Sequence, residues 1–174
     1  MEKKMELGIT DMRRKELKLF IIEFNKASQL DRSFSKTNLS IESKRLFRKK
    51  LLETCIKLME MVDDSTITNR IIRKSIKDLK NVDGNISFGQ AQQVINVCLK
   101  QYCFITGCLD AVKELDFPLD STTMKGYKIR NKRLIDVAEE DYVKYQREFE
   151  KEFNGIRIFK DLNYTENRIH EFLK

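Results

Sequence analysis

The sequence predicts an all-α fold, a compact multi-helix bundle around a long central helix at about residues 87–115. Apolar residues recur three and four positions apart over most of the chain, which is the spacing of one helix face. Only 6 glycines and 1 proline occur among the 174 residues, too few turn residues for a many-stranded β protein. The hydrophobic content of 41% is enough for a core. We therefore expect residues 1–174 to form a single helical domain in which residues 1–9 fray.

Three predicted helices fill the first half of the chain. The first begins at Thr10 or Asp11, both good N-caps, and runs to about Gln29. Its predicted inward stripe consists of Leu17, Phe20, Ile21, Phe24 and Ala27. The second helix, at about 41–62, is capped by Ser40. The third, at about 66–80, follows a polar break at 63–65 that also caps it.

The central helix is predicted because its apolar positions leave only a narrow polar line, as expected for a helix that others cover. Ser87 caps this helix, and Gly107 is a position at which it can kink. Beyond Pro118, the pattern predicts a helix from Asp136 to Phe153, with Gly155 as its stop, and a short last helix at about 165–173. Alternating residues near 126–130 and 155–159 also predict a minimal two-stranded β pair.

Composition disfavours several classes of protein. No apolar run approaches the roughly 18 residues of a membrane span, and the N-terminus lacks the apolar region of a signal peptide, so we expect a soluble cytoplasmic protein without a membrane partner. His170 is the single histidine, which disfavours histidine-based metal sites. Cys55, Cys98, Cys103 and Cys108 lack CxxC spacing and are expected to be buried in a reducing compartment. We expect no metal and no cofactor.

Positive charge is concentrated in the first half of the chain. The chain holds 34 Lys and Arg against 27 Asp and Glu, a net charge of +7. Residues 1–80 contain 20 of these cations and 12 of the acids, whereas residues 134–174 contain 7 and 10. A field belongs to a face of the molecule, so the placement of the cations is more informative than their total.

Two basic clusters form the predicted nucleic-acid-binding site. The third predicted helix carries cations on one side, and no acid lies between Arg70 and Lys77 to neutralise them along the helix. The segment 125–133 also contains Gly126 and Tyr127, so it has charge for phosphate and a ring that can stack on a base. The candidate residues are Arg70, Arg73, Lys74, Lys77, Lys80, Lys125, Lys128, Arg130, Lys132 and Arg133. Ordinary solvated charge is the alternative for both clusters.

A helix-turn-helix is a second interpretation of the second and third predicted helices. In that arrangement Thr66, Asn69, Arg70 and Arg73 would be available to base edges in a major groove. An ordinary antiparallel helical pair is favoured instead, because the break contains no glycine and the preceding helix is long for a supporting helix.

One line of the central helix carries a candidate polar site made of Gln93, Asn96 and Lys100, either a buried hydrogen-bond network or a ligand site. Helix solubility and capping account for four acids that follow in the sequence, Asp110, Glu114, Asp116 and Asp120. No GxGxxG, Walker A or GxSxG motif occurs, so no catalytic residue is assigned and an enzyme is disfavoured.

The expected function is that of a non-enzymatic nucleic-acid-binding or nucleic-acid-associated accessory protein, which uses a basic helix face to bind DNA or RNA. The alternative is a small protein-interaction module, a regulator or inhibitor of phage or prokaryotic mobile-element origin. Such a module would contact a partner protein or form a homo-oligomer. An exposed apolar patch of several hundred Å² would favour this alternative.

Overall fold

The computed structural model describes residues 2–26, 37–120, 123–124 and 133–158, with side chains from residue 11 onward. Within these ranges all regular structure is helical and no strand occurs, which confirms the all-α class. The α-helices are α1 (Glu2–Asn25), α2 (Ile41–Asp63), α3 (Asn69–Lys80), α4 (Phe88–Thr106) and α5 (Glu139–Glu152). Two 3-10 helices span Leu109–Glu114 and Leu134–Asp136.

The first helix differs from its prediction in both its start and its buried face. It begins at Glu2, so Thr10 and Asp11 lie within it and do not cap it. Ile21 and Ile22 are buried, whereas the predicted inward residues Phe20 and Phe24 are exposed. Successive helical residues are about 100° apart around the helix axis. The buried face of α1 is therefore rotated about this axis, by roughly the angle of one residue, from the predicted face.

The α2–α3 pair has the predicted order but a longer break. Ser40 caps α2 as predicted, with its Oγ accepting a hydrogen bond from the Ser43 backbone N–H at 3.0 Å. By contrast, α3 begins at Asn69 with Thr68 as its N-cap, not at 66. Ser65 has φ of 55°, a left-handed conformation that lets the chain turn before α3 starts.

Helix α4 lies against α1, α2, α3 and α5 and is buried over most of its length. Its start agrees with the prediction, since Ser87 and Gln90 form a capping box. Its end does not: the helix stops at Thr106, because Gly107 adopts a left-handed φ of 72°, and the chain continues as the 3-10 helix Leu109–Glu114. A continuous central helix over 87–115 is therefore wrong.

The remaining predicted elements are only partly described. Residues 155–158 are turn and coil, so they do not form the predicted strand, and 126–130 lie outside the described residues. The last predicted helix at 165–173, with His170, also lies outside them. Three of the four cysteines, Cys55, Cys98 and Cys103, are buried as free thiols, and Cys108 is half-buried.

Candidate nucleic-acid interface

A buried carboxylate, Asp116, lies at the junction of α3, α5 and the 115–120 segment. Its side chain has no exposed surface. Arg73 binds it with two bonds, Nε to Oδ2 at 2.9 Å and a terminal nitrogen to Oδ1 at 3.1 Å. Asn69 Nδ2 donates to Oδ1 and the Tyr142 hydroxyl donates to Oδ2, both at 2.9 Å. Arg157 Nε lies 2.7 Å from Oδ1 and forms an ion pair with it, but the geometry is not that of a hydrogen bond.

The network continues from Tyr142 into α4. Asn96 Nδ2 donates to the Tyr142 hydroxyl at 2.7 Å and to Gln92 Oε1 at 3.2 Å. The Gln92 amide in turn exchanges hydrogen bonds with the backbone of Leu119. A buried polar network whose members are hydrogen-bonded fixes its elements in one arrangement. This network therefore holds α3, α4, α5 and the 115–120 segment together.

Two pKa shifts describe the electrostatics of the network. Burial, followed by the nearby Asp116 carboxylate, raises the pKa of Tyr142 well above its usual range, so the hydroxyl stays neutral and remains a donor. Burial disfavours the charge of Arg73, but its hydrogen bond to Asp116 and the attraction between them outweigh burial and raise the pKa of Arg73. Both residues thus keep the form that binds Asp116.

The predicted basic face of α3 is partly used inside the protein. Arg73 is bound to Asp116, and Lys77 Nζ lies 2.7 Å from Glu139 Oε1. Asp116 and Glu139 belong to other segments of the chain. The sequence of α3, which has no acid between Arg70 and Lys77, therefore could not reveal that Arg73 and Lys77 are paired. Arg70 and Lys74 are exposed and Lys80 is half-buried. None of these three cations forms a hydrogen bond or ion pair within the described ranges.

The first turn of α3 is also occupied. Asn69 Nδ2 bonds the Glu114 carbonyl and Asp116, and its backbone N–H donates to the Glu114 carboxylate at 2.8 Å. Thr66 Oγ1 donates to the Met61 carbonyl. A recognition helix needs its reading side chains free for base edges, and although Thr66 and Arg70 are exposed, Asn69 and Arg73 are bound to Asp116. The structure therefore gives no support to the helix-turn-helix interpretation.

Of the second basic cluster, only Arg133 is described; Lys125, Lys128, Arg130 and Lys132 lie outside the described residues. Arg133 is exposed and binds Asp136 with Nε and a terminal nitrogen, at 2.8 and 3.0 Å. The hydrogen bond to Asp136 and the charge of that carboxylate raise the pKa of Arg133. This exposed pair lies at the start of the 3-10 helix Leu134–Asp136.

A groove of about 520 Å³, which we call the lysine groove, lies between the end of α3 and residues 135–139. Lys77, Lys80 and Asn81 line one side of it, and Ile86 and the N-terminal turn of α4 also contribute. Gly89 allows the close approach of the far side, because a Cβ at this position would lie 1.8 Å from the Leu134 carbonyl oxygen. In the lysine groove, Lys77 and Lys80 at the end of the first basic cluster therefore lie beside residues 135–139. These residues follow the second basic cluster, 125–133, in the sequence.

The three residues of the candidate polar site have different environments. Asn96 belongs to the buried network described above, through Gln92 and Tyr142. Gln93 is buried and Lys100 is half-buried on the same helix. For Asn96, the structure shows a hydrogen-bond network inside the protein.

A second polar cluster, which is only partly buried, surrounds Asp63 at the other end of α4. Lys18 Nζ lies 2.7 Å from Asp63 Oδ2, and Arg14 lies 3.3 Å from Oδ1. The Tyr102 hydroxyl donates to the same carboxylate at 2.7 Å. Burial, and then the bond to Asp63, raise the pKa of Tyr102. These contacts tie α1 to α2 and α4.

The sequence interpretation of Asp116 as an acid present for helix solubility or capping is wrong, because its side chain is fully buried. Sequence reasoning also gave no site role to Gln92, Tyr142 or Arg157. A signal was present for Asp116, since it stands between Leu115 and Phe117 in an apolar stretch interrupted by no other charge up to Leu119. An acid flanked by apolar residues is a candidate for burial with a cationic partner. No comparable signal marked Arg157, which folds back onto Asp116 from beyond α5.

Among the described residues, no three His, Cys, Asp or Glu side chains are arranged to hold a metal ion. None of the helices in the described ranges combines the length and apolar character needed to cross a membrane. In comparisons with known proteins, the chain matches no family model, no curated sequence and no solved structure.

Proposed function

We propose that this protein is a non-enzymatic nucleic-acid-binding accessory protein that holds phosphates at the end of the molecule where α3 ends. The observation that carries the proposal is the lysine groove. Lys77 and Lys80 line it together with residues that directly follow the basic segment 125–133. Arg133, the described cation of that segment, binds Asp136, which lines the groove, so Lys77, Lys80 and Arg133 bring cations from two parts of the sequence to one region.

The cations of α2 extend this region. The side chain of Ser43, in the first turn of α2, hydrogen-bonds to the Asp83 carboxylate just beyond α3, and this bond lowers the pKa of Asp83. The start of α2 and the end of α3 are thus side by side. Arg45, Lys49 and Lys50 are exposed on this half of α2, so they add positive charge to the half of the helix that begins beside the end of α3.

The acids at the lysine groove do not oppose this proposal. Glu139 is paired with Lys77 and Asp136 with Arg133, and all four side chains are at least one-third exposed. Exposed pairs of this kind contribute only about 0–1 kcal/mol. A phosphate that replaces either carboxylate therefore loses little pairing energy, and the displaced carboxylate remains nearby as a negative charge that Lys80, with no described acidic partner, helps to offset.

We place this function in the cytoplasm, as the composition predicts. The four cysteines, which are free thiols in the structure, are compatible with a reducing compartment.

The test is a salt titration of binding to a fluorescein-labelled oligonucleotide, followed by anisotropy. The double variant Lys74→Glu and Lys80→Glu reverses one exposed and one half-buried cation, neither of which has a described partner. If both contact phosphate, the slope of log K against log salt falls by about two, and affinity falls for every sequence. Arg73→Glu is unsuitable, because it would remove a partner of the buried Asp116.

Lys57→Glu is the matched control. Lys57 is exposed on α2 and lies about 21 Å along the helix from Ser43, at 1.5 Å per residue. Its reversal should leave the slope nearly unchanged. Absence of wild-type binding at low salt would refute the proposal, and an equal loss per charge in the control would refute the placement of the site.

A second candidate function is a protein-interaction module, favoured by an exposed aromatic pair on α1. The rings of Phe20 and Phe24 are 66% and 54% exposed, and their centroids lie 6.2 Å apart. With about 200 Å² for each side chain, the pair exposes roughly 240 Å². Stable complexes bury about 800 Å² per partner. The pair therefore suits a weak contact with one helix of a partner protein, not an obligate homodimer.

A further inference from the structure

The lysine groove continues into a second cavity of about 350 Å³. The two cavities share Gly84, Ile86, Ser87 and Ile135 as lining residues. Their volumes are within the range of cavities that take small organic groups, about 300–1,000 Å³. Such a concave feature admits a single extended strand or an unstacked base, whereas a stacked duplex presents no group that enters it.

Charge is distributed unevenly along this continuous groove. Lys77 and Lys80 line the first cavity only, together with the acids Asp136 and Glu139, and every residue described as lining the second is uncharged. A phosphate is attracted to the lysine end, whereas a neutral base avoids desolvating a charge at the other end. The two ends thus match the two chemical parts of a nucleotide.

The neutral part of the groove also has groups that suit a base. Ile135 is 40% exposed and lines both cavities, so it offers an apolar surface to a base face. Asn81 lines the first cavity and Asn38 the second; both are exposed, and no hydrogen bond of either side chain occurs within the described ranges. A carboxamide can donate to and accept from a base edge.

From this pattern we infer that the protein prefers single-stranded nucleic acid, with phosphate at Lys77 and Lys80 and an adjacent base against Ile135 in the neutral cavity. The inference rests on the proposed function and adds to it the class of nucleic acid. Single-strand binding sites combine such a basic track with surfaces for unstacked bases.

The experiment compares two probes and two variants by anisotropy at one low salt concentration. The probes are a fluorescein-labelled oligothymidine, alone and annealed to its complement. The variants are Ile135→Ala and the control Ile105→Ala. Ile105 is 59% exposed near the C-terminal end of α4, about 26 Å along the helix from its start at Phe88. Thermal unfolding of each variant confirms that it is folded.

We expect the single strand to bind at least about tenfold more tightly than the duplex. Ile135→Ala should weaken single-strand binding about fivefold and leave duplex binding unchanged, and Ile105→Ala should change neither. Equal affinity for both probes overturns the inference while the proposed function stands. A single-strand preference that Ile135→Ala leaves intact overturns the placement of the base. Failure of the wild type to bind either probe overturns the proposed function itself.

Discussion

Replacement of Asp116 by Asn tests the buried network that supports the candidate interface. The substitution keeps the shape of the side chain and removes its charge. Among the described residues, it leaves Arg157, whose side chain is 8% exposed, with only the partly exposed Glu150 as an acidic partner at 3.1 Å. It also leaves Arg73 without its bidentate acceptor. Removing one partner of a buried ion pair costs about 3–5 kcal/mol.

A loss of this size is a large share of the 5–15 kcal/mol that is typical of whole domains. Urea unfolding followed by far-UV circular dichroism at neutral pH measures it. Asp110→Asn is the control, because Asp110 is exposed on the 3-10 helix Leu109–Glu114 and should change stability by no more than about 0.5 kcal/mol. If the free energy of unfolding of Asp116→Asn is within about 1 kcal/mol of the wild-type value, Asp116 does not hold α3, α5 and the 115–120 segment together.

Two further predictions concern a glycine and an aromatic pair. Gly89→Ala should destabilise the protein by about 1–3 kcal/mol in the same unfolding assay, because the new Cβ meets the Leu134 carbonyl. Gly84→Ala, with no atom within 4 Å of its Cβ, should not, and a stabilising Gly89→Ala would contradict this contact. Sedimentation should show a monomer, and the double variant Phe20→Ser and Phe24→Ser should bind less of a hydrophobic dye at unchanged stability. A stable dimer that the double variant dissociates would contradict the weak-contact interpretation.

The parts of the fold that sequence predicted are those that local rules determine. Ser40 and Ser87 cap helices because a side-chain oxygen satisfies a free N–H three residues away, which is readable from short spacing. The end of α4 was harder to place, since Gly107 is compatible with a kink or with a stop. Its left-handed conformation is the feature that ends the helix.

Two features depend on contacts between residues far apart in sequence: which face of α1 is buried, and which cations of α3 are paired with acids. Both Phe20 and Ile22 suit a helix stripe, and packing against α2 and α4 decides that Ile22 is buried and Phe20 exposed. Arg73 and Lys77 find their acids 43 and 62 residues further along the chain. A charge pattern on one helix therefore predicts where cations are, but not which of them remain available to a ligand.

The most direct test of nucleic-acid binding at the lysine groove is amide chemical-shift mapping on ¹⁵N-labelled protein during titration with oligothymidine. We expect the amide signals of residues 80–88 and 135–139 to shift together as the oligonucleotide concentration rises, while the signals of 102–108, at the opposite end of α4, do not move. Shifts confined to 102–108, or spread evenly over the exposed lysines, would contradict it.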